Sequence, residues 1–446
     1  MARQQTPEKR TAPETSSGIN SLIAAANKDD RFKLLEDDSV PAANLDSSIH
    51  PIFEWFDCNG SLKQMLRLAS QFLTHDSVLI FFVPLLYGHE LTRTDSYTTK
   101  TYLSDPLADL CDAKRSKLLN GVRQALKCLA HSIDFRFMKP QKRLYARTLT
   151  KAVSPVHRSK CRSIFQSNLT AVIEISDRFM DFYSSEEGYG TSTRCAQFRH
   201  DFLFASTLVH EIVHAIGVMR RGNLTEPCIR IDDPDAEWGY AWEHFIFGCV
   251  INPQDRTQSG THILLRKIWA DSAIADKAGG KEYSGVPMSY IGQWFRRETW
   301  SIIAQAGPVA ISLPAAQFKI QSSRKDMGWI FSTSCKNIEP DLIDLQTQWK
   351  LQKATPKIIF RLQTTKALQR SNVQTPSRIS WQSQIDQNSA QVKRPERGIC
   401  PSSTTASEST DVSLSTPIGP LWLSRKRKII EEVDNARNSK RTKIRD

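Results

Sequence analysis

His210, Glu211 and His214 set two imidazoles four residues apart, with a carboxylate beside the first. On an α-helix this spacing stacks both rings on one face, where each can offer a nitrogen to a single ion. The chemistry this permits is hydrolysis at a single zinc ion, which would bring the pKa of a water toward neutrality. Glu211 would then take the proton as general base and pass it to a leaving amine. The surrounding stretch, FLFASTLVHEIVHAIGVM from Phe202 to Met219, is apolar on nearly every face except at Ser206, Thr207 and the three motif residues. A helix apolar all round is buried, and imidazoles and a carboxylate in a dry interior are costly unless paired. A bound zinc satisfies them together, which favours a metal site over a plain network of core histidines.

Catalytic zinc takes a third protein ligand and keeps a fourth position open. In the metzincin pattern HExxHxxGxxH that ligand is a histidine; here Gly217 matches, but Arg220 stands at the last position and has no acceptor to offer. The search moves to the next helical segment. Glu237 has 22 residues between it and His214, and Glu243 has 28. Six residues apart on one helix, these glutamates face different directions. Glu237 is the first choice as ligand and Glu243 the rival, with the other accepting a hydrogen bond from a ligand histidine. Glu226, Asp232 and His244 rank below them, and Tyr240, His244 and Tyr290 are the candidates for stabilising an oxyanion.

The elements that must position these groups can be read from periodicity. SLKQMLRLASQFL and AKRSKLLNGVRQALKCLAH are amphipathic helices, the second with Leu118, Val122, Ala125, Leu126 and Leu129 on one face. SVLIFFVPLL reads as a buried strand, IDFRF as a strand with Ile133, Phe135 and Phe137 on one side, and LTAVIEIS as another strand. The motif helix begins near Thr193 and stops at Arg220, Arg221 and Gly222, where cations and glycine suit a C-terminus. The next helix is expected to start at Asp233 as N-cap with Pro234 in its first turn. ILLRKIW and YIGQWFRRETWSIIAQAG read as further helices that complete the domain.

The composition shifts at both ends. Residues 1–48 are polar and lack periodicity, which predicts disorder; residues 49–335 hold the folded domain; residues 336–446 form a largely disordered basic tail. Of the net charge of +13, that tail carries 20 Lys+Arg against 11 Asp+Glu, or +9, so the basicity is not a property of the domain. Its clusters Arg425 to Lys428 and Lys440 to Arg445 read as a bipartite nuclear-import signal for an import receptor, with weak nucleic-acid contact as a second use. Nuclear localisation is therefore expected, with cytoplasmic as the alternative. Nine scattered cysteines without a CxxC pair argue against a disulfide framework and for a reducing compartment. The run VLIFFVPLLYG is too short to span a bilayer, so no membrane partner is expected.

LVHEIVHAIGVM followed by EPCIRIDDPDAEWGYAWEHFIFG, within residues 195–253, resembles the gluzincin clan of HExxH metallopeptidases. It is also similar to fungal zincin-like proteins with a comparable glutamate-glycine-aromatic-alanine-tryptophan-glutamate helix. The clan's ligand glutamate leads a Glu-Gly-aromatic-Ala run, whereas Glu237-Trp238-Gly239-Tyr240-Ala241 carries one extra residue. The resemblance implies an α+β zincin-like metallopeptidase fold. In it a mixed twisted sheet packs on the HExxH helix, further helices follow, disordered tails flank the domain, and a peptide or protein substrate lies along an edge strand. LTAVIEIS is the candidate for that strand. The expected activity is zinc metallopeptidase; the alternative is a catalytically inactive zincin-fold nuclear interaction or nucleic-acid-associated protein.

Overall fold

In the computed structural model the described residues run from 35 to 370, omitting 37–38, 95–98, 109, 142–143, 153–160, 162–163, 166–168, 255–257, 270–273, 276–279, 324–327, 337–339, 341–342, 345 and 348–356. The architecture is mixed α+β. Helices α1 (Lys63–Thr74), α2 (Asp76–Leu79), α3 (Phe82–Tyr87) and α4 (Asp112–Leu129) open it, with the hairpin β1 (Glu90–Thr94) and β2 (Thr99–Leu103) between α3 and α4. Strands β3 (Asp134–Met138), β4 (Ala146–Ala152) and β5 (Leu169–Ser176) form a three-stranded sheet in the order β3-β5-β4, parallel at β3/β5 and antiparallel at β5/β4.

After α5 (Arg178–Ser184), the long helix α6 (Arg194–Arg221) crosses the core and packs on β4, β5, α1 and α3. Its ends follow local chemistry. Thr193 caps the start by accepting the Ala196 N–H, and Gly222 closes the end at φ 77°, a left-handed conformation that glycine adopts without a Cβ penalty. α6 is long and apolar enough to cross a membrane, but 83% of its most apolar window is buried inside this protein. Helix α7 (Trp238–Phe247) lies against α6. A second sheet follows, in the order β11-β10-β9-β8-β7-β6, from β6 (Val250–Pro253), β7 (Ile263–Arg266), β8 (Glu282–Gly285), β9 (Phe318–Ser323), β10 (Gly328–Thr333) and β11 (Lys357–Leu362). Its pairs are antiparallel except β10/β11. Helices α8 (Met288–Gln293) and α9 (Arg297–Ala306) lie between β8 and β9 in the chain, and α10 (Thr365–Arg370) follows β11.

Several sequence-based expectations give way here. SVLIFFVPLL is helical, not a strand: it forms most of α2 and α3, and Pro84 sits in the first turn of α3, where its missing N–H costs nothing. ILLRKIW is not a helix; its first half is β7, with Ile263, Leu264 and Leu265 all buried. SVLIFFVPLL is apolar on every side, and ILLRKIW is a seven-residue run interrupted by Arg266-Lys267, so neither carries a period that distinguishes helix from strand. Phe137 does not share the burial of Phe135. It is exposed and meets the ring of Trp55 at 5.2 Å. LTAVIEIS is the central strand β5; the edge next to α6 is β4.

The packed region also exceeds 49–335. Leu35, Val40 and Leu45 are buried, Asn44 binds Glu298 and the Phe295 carbonyl, and beyond residue 335 β11 pairs with β10 while Leu368 is buried. The cysteines depart from the expectation as well: Cys128 and Cys161 are bonded, with Cα atoms 5.7 Å apart. The bond ties the end of α4 to the connection between β4 and β5. The two basic clusters of the tail lie outside the described residues.

Candidate metal centre

His210 and His214 lie one turn apart on α6, and both turn Nε2 toward the same carboxylate oxygen. Glu237 Oε1 is 3.2 Å from His210 Nε2 and 3.0 Å from His214 Nε2. For zinc bonds of about 2.0–2.1 Å, the edge of a tetrahedron is about 3.3 Å, close to both nitrogen-to-oxygen separations, and the three ligand atoms all lie within 4.8 Å of one another. His210, His214 and Glu237 therefore form a group that could hold a metal ion. Their side chains are partly buried, at 15%, 16% and 29% exposure.

Glu237 reaches this point from outside the helix. Helix α7 begins at Trp238, not Asp233, and Glu237 is its N-cap with an extended φ of −142°. Its Oε2 accepts the Tyr240 N–H while Oε1 faces the imidazoles, so one carboxylate both caps a helix and completes the ligand set. Asp233 instead accepts the Arg230 N–H at 2.8 Å, closing a turn within the loop before α7.

The far nitrogen of each imidazole is fixed by a further carboxylate. His210 Nδ1 donates to Glu243 Oε1 at 2.7 Å, and His214 Nδ1 to Glu226 Oε1 at 2.6 Å. Each of those glutamates is itself held by backbone: Glu243 accepts the Ile251 N–H at 2.6 Å and Glu226 the Trp238 N–H at 2.9 Å. With Nδ1 donating outward, Nε2 is the nitrogen left at the shared point, where loss of its proton would present a lone pair to an ion, the arrangement that orients and strengthens histidine ligands. Glu243 thus occupies the supporting role, and Glu237 the ligand position. Glu226, ranked low from sequence, is the matching support of His214. It lies in the irregular segment before α7, where no periodicity marks it. Asp232 is paired with Arg230 instead.

Two glycines make the close approach of α6 and α7 feasible. A Cβ on Gly239 would lie 2.3 Å from His210 Nε2, and one on Gly217 would lie 2.5 Å from the Trp238 indole. The glycine that matches a metzincin position thus serves helix packing here. Behind the site, Trp242, Phe72, Phe247 and Trp294 pack edge to face at centroid separations of 5.3–5.8 Å and hold α7 in place.

Glu211 is buried on α6 at the side of β4, and its Oε2 accepts a hydrogen bond from Thr148 Oγ1 at 2.7 Å. Thr148 sits on the edge strand, 63 residues upstream, a separation that left it without a signal in the sequence. It fixes one oxygen of the carboxylate. Of the oxyanion candidates, Tyr240 has its ring 5.4 Å from His210. Tyr290 is buried in α8 with its ring edge-on to Trp294, and His244 is buried in α7.

Electrostatics match a cation site. Burial alone would lower both imidazoles, but the hydrogen bonds to Glu237 and Glu243 raise His210 well above 6.5, and those to Glu226 and Glu237 raise His214 to about 9. Burial opposes ionisation of Glu237 too, yet the two imidazoles hold its carboxyl well below the usual range. The raised imidazoles and the lowered carboxyl share one cause, more acceptors than donors at this point, an imbalance that two protons or one divalent ion would offset. Exchanging the two protons for the ion leaves the cluster's net charge unchanged.

Compared with known proteins, the chain matches no family model, no curated protein and no solved structure. The site defines a class by its own chemistry: a His-His-Glu group that could hold a metal ion, on two packed helices, with the buried Glu211 next to His210 in the chain.

Proposed function

We propose that this chain is a zinc-dependent peptidase of zincin-like fold. The observation that carries the reading is the convergence of His210 Nε2, His214 Nε2 and Glu237 Oε1 at 3.0–3.2 Å, beside a glutamate already oriented by Thr148. Nitrogen and carboxylate ligands in this number suit zinc with an open position. When bound, zinc supplies Lewis acidity that lowers the pKa of a water toward neutrality. The protein's own groups do the rest. Glu226 and Glu243 keep the imidazoles directed inward, while Thr148 holds Glu211 Oε2 so that Oε1 is left to accept a proton and return it to the leaving amine. Tyr240, beside His210, is the nearest group on α7 for an oxyanion contact.

A group of three protein ligands among the described residues favours this reading over an inactive zincin-fold interaction protein, for which a closed four-ligand site is expected. Nuclear localisation is proposed on the basic clusters Arg425 to Lys428 and Lys440 to Arg445 alone. The deciding experiment is metal analysis together with peptide hydrolysis by wild type and Glu211→Gln. One zinc per chain in both, with hydrolysis at least about a hundredfold slower in the variant, is expected. Chain without stoichiometric zinc, or equal cleavage by the two proteins, defeats the reading.

A further inference from the structure

The site's carboxylates are all engaged, yet a cation stands next to them without one. The Arg266 guanidinium, at the end of β7, lies over the Tyr240 ring at 4.6 Å from its centroid. Among the described residues Arg266 has no carboxylate partner. Each glutamate that could neutralise it is committed: Glu211 to Thr148, Glu226 to His214 and the Trp238 N–H, Glu237 to both imidazoles and the Tyr240 N–H, and Glu243 to His210 and the Ile251 N–H. Arg266 and Tyr240 are both partly exposed.

The position is a built one. Arg266 pairs in the sheet with Val250, and the next residue, Ile251, donates its N–H to Glu243, so the strand pair carrying the arginine also supports the ligand set. Held over Tyr240, the guanidinium keeps its five N–H donors, a set that suits a planar anion bound through two parallel hydrogen bonds.

We propose that Arg266, seated on Tyr240, binds a carboxylate of the peptide substrate beside the metal centre. This rests on the peptidase reading and narrows it to substrates carrying an acidic side chain or a free C-terminus near the cleaved bond. The Tyr240 ring is 5.4 Å from the His210 ring and 4.6 Å from Arg266. At about 3.3–3.6 Å per extended residue, the bound carboxylate belongs within about three residues of that bond.

The test uses full-length, zinc-supplemented Glu211→Gln protein, with and without Arg266→Gln. The probe is one labelled peptide in four forms: glutamate or glutamine in its side chains, each with a free or amidated C-terminus. With Arg266 present, removal of one of the two carboxylate types is expected to weaken binding about tenfold, and the type that matters identifies the source. With Arg266→Gln all four forms bind alike, and Arg266→Lys, which keeps the charge but loses the fork, recovers part of the preference. No binding, no preference with Arg266 present, or the same preference without it overturns the proposal. Hydrolysis of the four peptides by protein with intact Glu211 is scored separately. Failure there removes the peptidase reading, while the binding comparison still decides the role of Arg266.

Discussion

Helix α6 carries two buried polar clusters that solve the same problem in opposite ways. At Asp201 the carboxylate is fully buried and receives three donors, Gln64 Nε2 at 2.7 Å, Tyr189 Oη at 2.7 Å and Tyr183 Oη. Acceptor is matched by donors and nothing further is required; burial still outweighs the hydrogen bonds and pushes the Asp201 carboxyl up to about 7. Further along the helix, His210 and His214 are surrounded by Glu226, Glu237 and Glu243, so acceptors outnumber donors unless protons or a cation are added. Burial alone does not mark a functional site. What marks it is an arrangement that stays unbalanced until something binds.

Removing a carboxylate from each cluster tests this contrast most strongly. Glu237→Ala is expected to abolish stoichiometric zinc binding, measured by metal analysis after dialysis, and to leave the fold intact. Asp201→Ala is expected to cost about 3 kcal/mol in urea unfolding, because it strands three partly buried donors, while zinc content stays at one per chain. If the Asp201 variant loses zinc as Glu237→Ala does, the clusters are not independent and the contrast fails. A smaller effect is expected at the supporting carboxylates. Glu226→Gln and Glu243→Gln should each weaken zinc affinity by about 10–100-fold in chelator competition, without eliminating it. No change would show that the Nδ1 hydrogen bonds do not direct the ligands.

The finest distinction comes from pH. Asp201 is raised from 3.8 to about 7, so its stabilisation is present below pH 3.8 and lost as pH rises to about 7. His214 is raised from 6.5 to about 9, so in metal-free protein its stabilisation is present below pH 6.5 and lost as pH rises through about 9. Zinc removes the imidazole protons and should cancel the second window while leaving the first. Unfolding curves at pH 5, 7 and 9, with chelator and with zinc, should therefore differ in slope. Above about pH 6.5 only the chelated protein loses stability through His214 as pH rises; below it only the zinc-bound protein gains stability, because unfolded imidazoles are protonated there and zinc-bound ones are not. Parallel curves would show that protons and metal do not compete at the site.

Much of the site was legible because local chemistry specified it. The HEIVH spacing, the Thr193 cap and the Gly222 stop together fix α6 and put both imidazoles on one face. Glu237 was legible as the third member of the group that could hold an ion, though not as an N-cap, since Asp233-Pro234 offers an equally good local start signal. Glu226, Thr148 and Arg266 carried no signal. Each acts through a partner distant in sequence, reached by a loop, an edge strand and a sheet strand respectively. The errors in the elements arise where the period is missing: burial on all sides erases it in SVLIFFVPLL, and ILLRKIW is too short, with Arg266-Lys267 in its middle, to display one.

The sequence alone thus determined which groups could bind a metal and which helix presents them, because side chains four apart on a helix are neighbours whatever surrounds it. Tertiary structure decided the rest. It brought the N-cap of α7 to the imidazoles, turned Glu243 and Glu226 to their outer nitrogens, set Thr148 on Glu211 and left Arg266 uncommitted over Tyr240. These relations depend on close packing of α6 against α7 and β4, and helix packing at Gly217 and Gly239 is a property of two surfaces together, encoded in neither alone.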